Sequence, residues 1–161
     1  MILRPAVAAD AEEIAALWNR MIRDTLFTFT TEEKTAEGIT ALIAARPDAF
    51  WVAREDKLSG FVTYGPFRAG PGYAATVEHS ILLDKAARGQ GLGRRLMQRA
   101  ETAAAEQGAH VMVAGISGAN PGAVKFHAAL GFRESGHMAE VGRKNGRWLD
   151  LILMQKTLHR H

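Results

Sequence analysis

Apolar residues recur at helical spacing in the first third of the chain and predict two amphipathic helices. In the first, over residues 10–23, Asp10 and Glu13 have the spacing of a capping box. A second capping box, at Thr30 and Glu33, predicts the start of another helix, which must end before the next proline. The residues expected to face the core are Ile14, Leu17, Trp18, Met21 and Ile22 in the first helix and Ile39, Leu42 and Ile43 in the second.

Runs of alternating or β-branched apolar residues predict the strands of one sheet. They lie at residues 2–4, 50–54, 58–67, 76–83 and 111–116, and two more flank Lys144-Asn145-Gly146, whose Asn-Gly pair is the strongest short hairpin signal. Two further helices are predicted, over about 91–107 and over 121–130, the latter with Asn120 as its N-cap. The order β-α-α-β-β-β-α-β-α-β-β predicts a mixed α/β (α+β) sheet flanked by helices in a single domain, residues 1–161.

Composition narrows the function classes. The 161 residues are 47% hydrophobic, ample for one domain with its own core. The net charge of +3, from 20 basic and 17 acidic residues, argues against a nucleic-acid partner. The lack of cysteine excludes disulfides and thiolate catalysis, and no apolar run approaches the ~18 residues of a membrane span. Since acidic residues lie where a signal peptide needs an apolar core, we expect a cytoplasmic protein with no membrane partner; residues 158–161 are a candidate disordered tail.

The most informative segment is 76–93, where a predicted strand leads through a glycine-rich loop into a helix. The first N–H groups of a helix have no partner inside it, and the helix dipole adds partial positive charge. Gly89, Gly91 and Gly93 would therefore let a phosphate approach the bare backbone. Three nearby arginines lie at a helix end that disfavours cations, so they are either solvated surface groups or partners of a bound polyanion. These are Arg88, Arg94 and Arg95.

Neither common phosphate motif fits this loop, because the Walker and dinucleotide patterns need other residues or another glycine spacing. Arg88-Gly-Gln-Gly91-Leu-Gly93 resembles instead the pyrophosphate loop, R/Q-x-x-G-x-G/A, of the GNAT superfamily of acyl-CoA N-acyltransferases. The resemblance covers nearly the whole chain and is closest to the phosphinothricin acetyltransferase-like branch. It lies in Tyr73-x-x-Thr76-Val-Glu78-x-Ser80, Asn120-Pro, Phe126-His127-x-x-Leu-Gly-Phe132 and Val141-Gly-x-Lys144-x-Gly146-x-Trp148-x-Asp150.

The resemblance implies a single-domain GNAT fold and acetyl-CoA as cosubstrate. It also implies that a backbone N–H near Leu83, freed where two strands splay apart, donates to the thioester carbonyl, and that Asn120 contacts the pantetheine arm. The residues it assigns to the cofactor are Ile81, Leu82, Leu83, Arg88, Gly89, Gln90, Gly91, Leu92, Gly93, Arg94 and Asn120.

Acetyl transfer to an amine needs a base for the ammonium and a proton for the leaving thiolate. Alternation along the strand lets only one of Glu78 and His79 face a cleft. We expect Glu78 to be the base because burial raises a carboxylate pKa; the alternative is a structural carboxylate hydrogen-bonded to its neighbours. His127 stands where the wider superfamily commonly has a tyrosine placed to protonate the thiolate, so we expect a catalytic or cofactor role, a packed helical histidine being the alternative. His79 is assigned to structure, near a subunit contact.

Members of the similar branch acetylate the α-amine of small amino acids or analogues, such as phosphinothricin, methionine sulfone and methionine sulfoximine. A carboxylate on such a substrate needs a cationic partner, for which Arg68 and Tyr73 are available. The branch commonly has an arginine directly after this tyrosine, whereas this chain has Ala74. Phe27 and Phe29 either wall a substrate cleft or fill the core. Thr76 and Val77 complete the predicted substrate contacts. No metal site is predicted, because the histidines lack ligand spacing.

We therefore predict an acetyl-CoA-dependent N-acetyltransferase that acts on a small amine by direct transfer. One alternative is a peptide or protein N-terminal or lysine acetyltransferase, which would need an open groove. Another is a regulatory acyl-CoA-binding module without turnover, against which the potential base Glu78 counts. The apolar segment from Leu149 to Met154 predicts a homodimer.

Overall fold

Seven strands form one mixed sheet in the computed structural model, which describes residues 1–159. They are β1 (Ile2–Pro5), β2 (Phe50–Arg54), β3 (Leu58–Pro66), β4 (Thr76–Leu83), β5 (Val111–Ser117), β6 (Arg133–Lys144) and β7 (Arg147–Thr157). Their order across the sheet is β1-β2-β3-β4-β5-β7-β6. Strands β4 and β5 pair in parallel, and the other neighbours pair antiparallel.

Helices cover both faces of this sheet. They are α1 (Ala11–Asp24), α2 (Ala36–Ala45), α3 (Leu92–Glu106) and α4 (Pro121–Ala129). Helices α1 and α2 pack with Phe50 and Phe61 on one face, and α3 packs with Val62 and Met112 on the other. Because helices cover both faces, the central strands β2 and β3 bury apolar residues on both sides of the sheet. The predicted mixed α/β class and order of elements are confirmed.

The pairing between β4 and β5 stops well before either strand ends. Its last pair is His79 with Ala114, yet β4 continues to Leu83 and β5 to Ser117. Strand β5 keeps its partner β7 along this whole length. The two central strands therefore diverge and leave an opening in the sheet beyond His79, which is the splay that the resemblance implied.

The predicted capping box at the start of α1 is wrong. Asp10 is 1% exposed and makes no side-chain hydrogen bond to the helix. Its carboxylate accepts from Arg4, Arg54 and the Val7 N–H instead. Glu13 accepts from the backbone of Leu58. These acids anchor α1 to the sheet because cationic partners across the sheet outcompete the local helix amides.

The predicted start of α2 is also wrong, by five residues. The N-cap is Thr35, whose Oγ1 accepts from the Gly38 N–H at 3.0 Å. Thr30 uses its hydroxyl in a local turn, where it accepts from the Glu32 N–H at 3.0 Å. Both threonines have the chemistry of a cap, and the helix begins at the one nearer its apolar residues.

The C-terminal hairpin has the predicted turn. Asn145 and Gly146 have positive φ angles of 51° and 75°, as a two-residue turn of this kind requires. Beyond β7, Leu158 is 7% exposed and donates its N–H to the His110 carbonyl at 2.7 Å. Leu158 therefore packs with the domain, whereas positions 160 and 161 of the expected tail lie outside the described residues.

Candidate active site

The glycine loop enters α3 through residues in the left-handed backbone region. Gly89 and Gly91 have φ angles of 77° and 78°, and a Cβ placed on either would have no atom within 4 Å. The N–H of Arg95 donates to the Gly91 carbonyl at 3.2 Å, so the N–H groups just before it point out of the helix end. The result is an open concave stretch of backbone that suits an anion.

A cavity of about 790 Å³ runs from this loop through the opening between β4 and β5. Gln90 is absent from its lining, and its side chain donates to the Ala86 carbonyl at 3.3 Å. One end of the cavity is lined by the glycine loop, Arg88 and Arg94, which suit an anion, and its middle is apolar, so it fits a long anionic thioester such as acetyl-CoA. The other predicted cofactor residues line it: Ile81, Leu82, Leu83, Arg88, Gly89, Gly91, Leu92, Gly93, Arg94 and Asn120.

Backbone N–H groups of β4 face this opening. The Asp84 N–H donates to the Ser59 carbonyl on β3 at 2.8 Å. Successive N–H groups of a strand point to opposite sides, so those of Ile81 and Leu83 point away from β3 and into the gap that β5 has left. These two groups are the candidate donors to a thioester carbonyl.

Glu78 stands at the border of the cavity, on the α1/α2 face of β4. Its Oε2 atom would lie 2.8 Å from a Cβ on Gly115, a residue of β5 that lines the cavity. Burial raises the pKa of Glu78, and no hydrogen bond or neighbouring charge in residues 1–159 opposes that shift. A structural carboxylate would have such partners, whereas a base needs the raised pKa and a free oxygen.

His79 lines the cavity from the opposite face of the sheet. Of Glu78 and His79, His79 alone lines this cavity, whereas Glu78 lies against Gly115 in the cavity wall. His79 is 6% exposed and packs against His127 of α4, with the two Nε2 atoms 2.9 Å apart. The ring of His79 packs under α4, and its position near a subunit contact stays a prediction.

Both ring nitrogens of His127 are engaged. Its Nδ1 lies 2.8 Å from the Ala123 carbonyl, and its Nε2 contacts His79. Burial lowers the pKa of His127, and the Ala123 carbonyl opposes that shift. His127 therefore has no free ring nitrogen. A proton that it gave to a thiolate would come from its contact with His79.

The segment between α1 and α2 closes the other end of the cavity. Phe27 and Phe29 line it together with Trp18 and Met21. The ring of Phe29 rests on Gly142 of β6, where any Cβ would overlap it. The Ser117 hydroxyl also donates to the Leu26 carbonyl at 2.7 Å. The segment is thus a fixed wall.

The remaining predicted substrate residues line a separate cavity of about 690 Å³. They are Arg68, Tyr73, Thr76 and Val77, and Ala74 lines it with them. Sequence reasoning missed Arg46, which also lines this cavity. Its guanidinium nitrogen would lie 2.5 Å from a Cβ on Gly65, and Gly65 pairs directly opposite Glu78. Arg46 donates to the Thr63 hydroxyl at 3.1 Å, and burial lowers its pKa.

Sequence reasoning also missed Gly115 and Lys144. A glycine inside a strand marks a position that another group approaches closely. The position of Gly115 within a predicted strand was therefore a signal for such a contact. Lys144 carries no such signal, because its four acceptors lie on a distant part of the chain.

None of the helices within residues 1–159 is long and apolar enough to cross a bilayer. Over the same residues, no group of three or more potential ligand side chains could hold a metal ion.

The chain belongs to the Acetyltransferase (GNAT) family, whose profile matches residues 14–132. It is 35% identical, over 100% of its length and 96% of the relative, to the L-methionine sulfoximine/L-methionine sulfone acetyltransferase of Salmonella typhimurium. The Sinorhizobium meliloti phosphinothricin acetyltransferase in complex with acetyl-CoA superposes with a TM-score of 0.91 at 31% identity, covering 98% of this chain and 88% of that one. The Brucella melitensis ribosomal-protein-alanine N-acetyltransferase has a TM-score of 0.93 at 33% identity, covering 98% and 100%.

Proposed function

We propose that this chain transfers the acetyl group of acetyl-CoA directly to the α-amine of a small amino acid or analogue, of the phosphinothricin, methionine sulfone or methionine sulfoximine type. One observation carries the proposal: the glycine loop lines the opening in the sheet, and the half-buried carboxylate of Glu78 lies against Gly115 in the wall of the same opening. The family, and the amino-acid analogues named for the Salmonella relative, support it.

Each group of residues in the site has its own role in this reaction. The loop amides, Arg88 and Arg94 bind the diphosphate, and Asn120 contacts the pantetheine arm. The N–H groups of Ile81 and Leu83 polarise the thioester carbonyl. Glu78 removes a proton from the substrate ammonium, which makes the nitrogen a nucleophile. Phe27 and Phe29 hold the substrate against Gly115 and exclude water.

A carboxylate on the substrate would find the Arg46 guanidinium on the same face of the sheet as the base. Arg46 and Arg68 form no ion pair with any residue in the described part of the chain. Since Gly65 lies opposite Glu78 in the sheet, the Arg46 guanidinium is on the same face as the base and to one side of it. An α-amino acid would thus place its ammonium at Glu78 and its carboxylate towards Arg46, a role the sequence assigned to Arg68 and Tyr73.

A second candidate function is acetylation of a protein or peptide N-terminus, which the Brucella neighbour favours. The fixed wall of Phe27 and Phe29 favours a small substrate instead. We further propose a cytoplasmic homodimer. Its contact would include the β6–β7 hairpin, where three large apolar side chains are exposed: Met138, Val141 and Trp148.

An amine panel with a free-thiol readout tests the proposed function. Free methionine sulfone, methionine sulfoximine and phosphinothricin should release coenzyme A thiol in the presence of acetyl-CoA. Peptides that begin with alanine and peptides that contain lysine should release much less. Turnover of the peptides alone would establish the second candidate, and absence of turnover with every amine would support a binding module.

A further inference from the structure

The contact between His79 and His127 sets how many protons the two rings hold. Their Nε2 atoms are 2.9 Å apart and their ring centroids 5.0 Å apart. Both side chains are buried, at 6% and 4% exposed. At this distance two nitrogens either share a proton or face each other with repelling lone pairs.

The other ring nitrogens decide between these states. The Nδ1 of His79 lies 3.1 Å from the Val113 carbonyl, and that of His127 lies 2.8 Å from the Ala123 carbonyl. A carbonyl oxygen only accepts, so each Nδ1 must carry a proton. A neutral histidine has one ring proton, which would leave both Nε2 atoms bare. Satisfying all three contacts therefore takes a third proton, between the rings.

Burial works against that third proton. It lowers the pKa of His79 to about 3, with repulsion from His127 adding to the effect and the Val113 carbonyl opposing it. The rings of Phe126 and Phe132 pack edge-on against His127. No carboxylate in residues 1–159 forms an ion pair with either ring, and Arg88 and Arg94 line the same cavity. The Val113 and Ala123 carbonyls favour the positive charge, and an anion beside the rings would favour it further.

The place of the pair in the fold puts its shared proton in the cavity where an anion forms during the reaction. His79 belongs to the last residue pair before β4 and β5 diverge, at the apex of the opening. A thioester bound along the opening with its carbonyl at the Ile81 and Leu83 N–H groups would have its sulfur in the cavity that both histidines line. Negative charge develops on the sulfur as the carbon–sulfur bond breaks, so the positive pair is stabilised when it is needed.

We propose that His79 and His127 share a proton between their Nε2 atoms and that His79 is a positioning residue, which keeps this proton available to the departing thiolate through His127. The inference rests on the proposed acetyl transfer. As the nitrogen–carbon bond forms and the carbon–sulfur bond breaks, two protons leave the amine nitrogen through Glu78 to solvent. The pair gives its shared proton to the sulfur and regains one from solvent, so each turnover releases one proton.

Nuclear magnetic resonance on protein with ¹⁵N-labelled histidine tests the proton count in the wild type. In the acetyl-CoA complex without amine, at neutral pH, we expect protons on both Nδ1 atoms and one downfield proton coupled to Nε2. A bare Nδ1 on either ring in that complex would overturn the proposal. This result does not depend on turnover, so it is separable from failure of the proposed function.

The kinetics of the His79→Gln variant distinguish a role of His79 in holding the shared proton from a role in packing alone. Glutamine keeps a polar side chain with a donor, so a merely structural His79 would be rescued, with near wild-type kcat. The proposal expects kcat to fall about 10²-fold, with the Kd of acetyl-CoA by calorimetry within about twofold. His110→Gln, at an exposed histidine, is the matched control. Wild-type kcat in His79→Gln overturns the proposal; if the variant does not fold, the proton count decides.

Discussion

The Nζ atom of Lys144 lies 2.7 Å from the carbonyl oxygen of Ile22, although 122 positions separate the two residues. The same ammonium donates to the Thr25 carbonyl and to both oxygens of Thr28. Lys144 is 3% exposed. Burial lowers its pKa, while four acceptor oxygens favour the charged form. This side chain ties β6 to the end of α1 and to the segment that walls the cavity.

Replacing Lys144 by methionine should loosen that wall. Methionine fills much of the space but leaves buried carbonyl groups unpaired, so the free energy of unfolding should fall by about 2–3 kcal/mol. The KM for the amine should rise several-fold, while the Kd of acetyl-CoA stays the same because the glycine loop is untouched. Denaturant unfolding, kinetics and calorimetry measure these quantities. Lys57→Met, at an exposed turn, is the control, and an unchanged amine KM in Lys144→Met would contradict the role of the wall.

Gly91→Ala tests whether the loop binds the diphosphate through its backbone. The φ of 78° makes alanine strained there, at a cost of about 1 kcal/mol in stability. The added methyl group would also stand where a phosphate approaches, so the Kd of acetyl-CoA should rise about tenfold, or 1.4 kcal/mol.

Gly146→Ala is a matched control for this variant. Gly146 has a φ of 75° and equally open surroundings, but it lies in the β6–β7 turn. It should lose similar stability with no change in the Kd of acetyl-CoA. An equal effect of both variants on the Kd would show that the loop does not touch the cofactor.

Arg46→Gln tests the position of the substrate carboxylate. We expect the KM of an α-amino acid to rise about tenfold or more, because a charge-assisted hydrogen bond is lost. The KM of the matching amine without a carboxylate should not change. Arg133→Gln, at an exposed position on β6, controls for net charge. If both substrates were affected equally, Arg46 would support the fold and not the substrate.

Asp10 makes stability depend on pH. Burial alone would raise its pKa, but hydrogen bonds from Arg4 and the Val7 N–H and the charges of Arg4 and Arg54 outweigh burial and lower it below 3.8. A lowered pKa in the folded state adds stability above the unfolded value, and this is lost as the pH falls through the folded value. Asp10→Asn should therefore lower the free energy of unfolding by about 3 kcal/mol at pH 7.

Denaturant melts over a pH series check this prediction. The difference between wild type and Asp10→Asn should shrink below pH 4, as the wild-type carboxylate takes up a proton. Asp56→Asn, at an exposed turn, should be close to neutral at every pH. A difference that stays constant down to the folded pKa would mean that Asp10 acts through shape alone.

Short sequence patterns predicted those features of the fold that depend only on neighbouring residues. Strand alternation, the Asn145-Gly146 turn and the Asn120 cap each depend on a few neighbouring residues, and all are present. Asp10 has the local signal of a cap, but Arg54, 44 positions away, competes for it. The contact of His79 with His127 spans 48 positions. Such pairings depend on how the elements pack, and nothing in a short window of sequence encodes them.

No residue pattern predicted the divergence of β4 and β5. It was expected only because the resemblance to the GNAT superfamily implied it. Its physical cause is that β5 keeps all its bonds to β7 while β4 keeps its bonds to β3. The site depends on this gap, because the histidine pair lines the cavity that passes through it and the Glu78 carboxylate lies against Gly115 in the cavity wall.

Thiol release by Glu78→Gln, set against calorimetric binding of acetyl-CoA, tests the central claim most directly. Glutamine keeps the size of the side chain beside Gly115 but cannot take a proton. The account predicts that kcat with the best amino-acid substrate falls about 10²-fold or more, while the Kd of acetyl-CoA stays within about twofold of wild type. Wild-type turnover by Glu78→Gln, or a wild-type chain that does not bind acetyl-CoA, would contradict it.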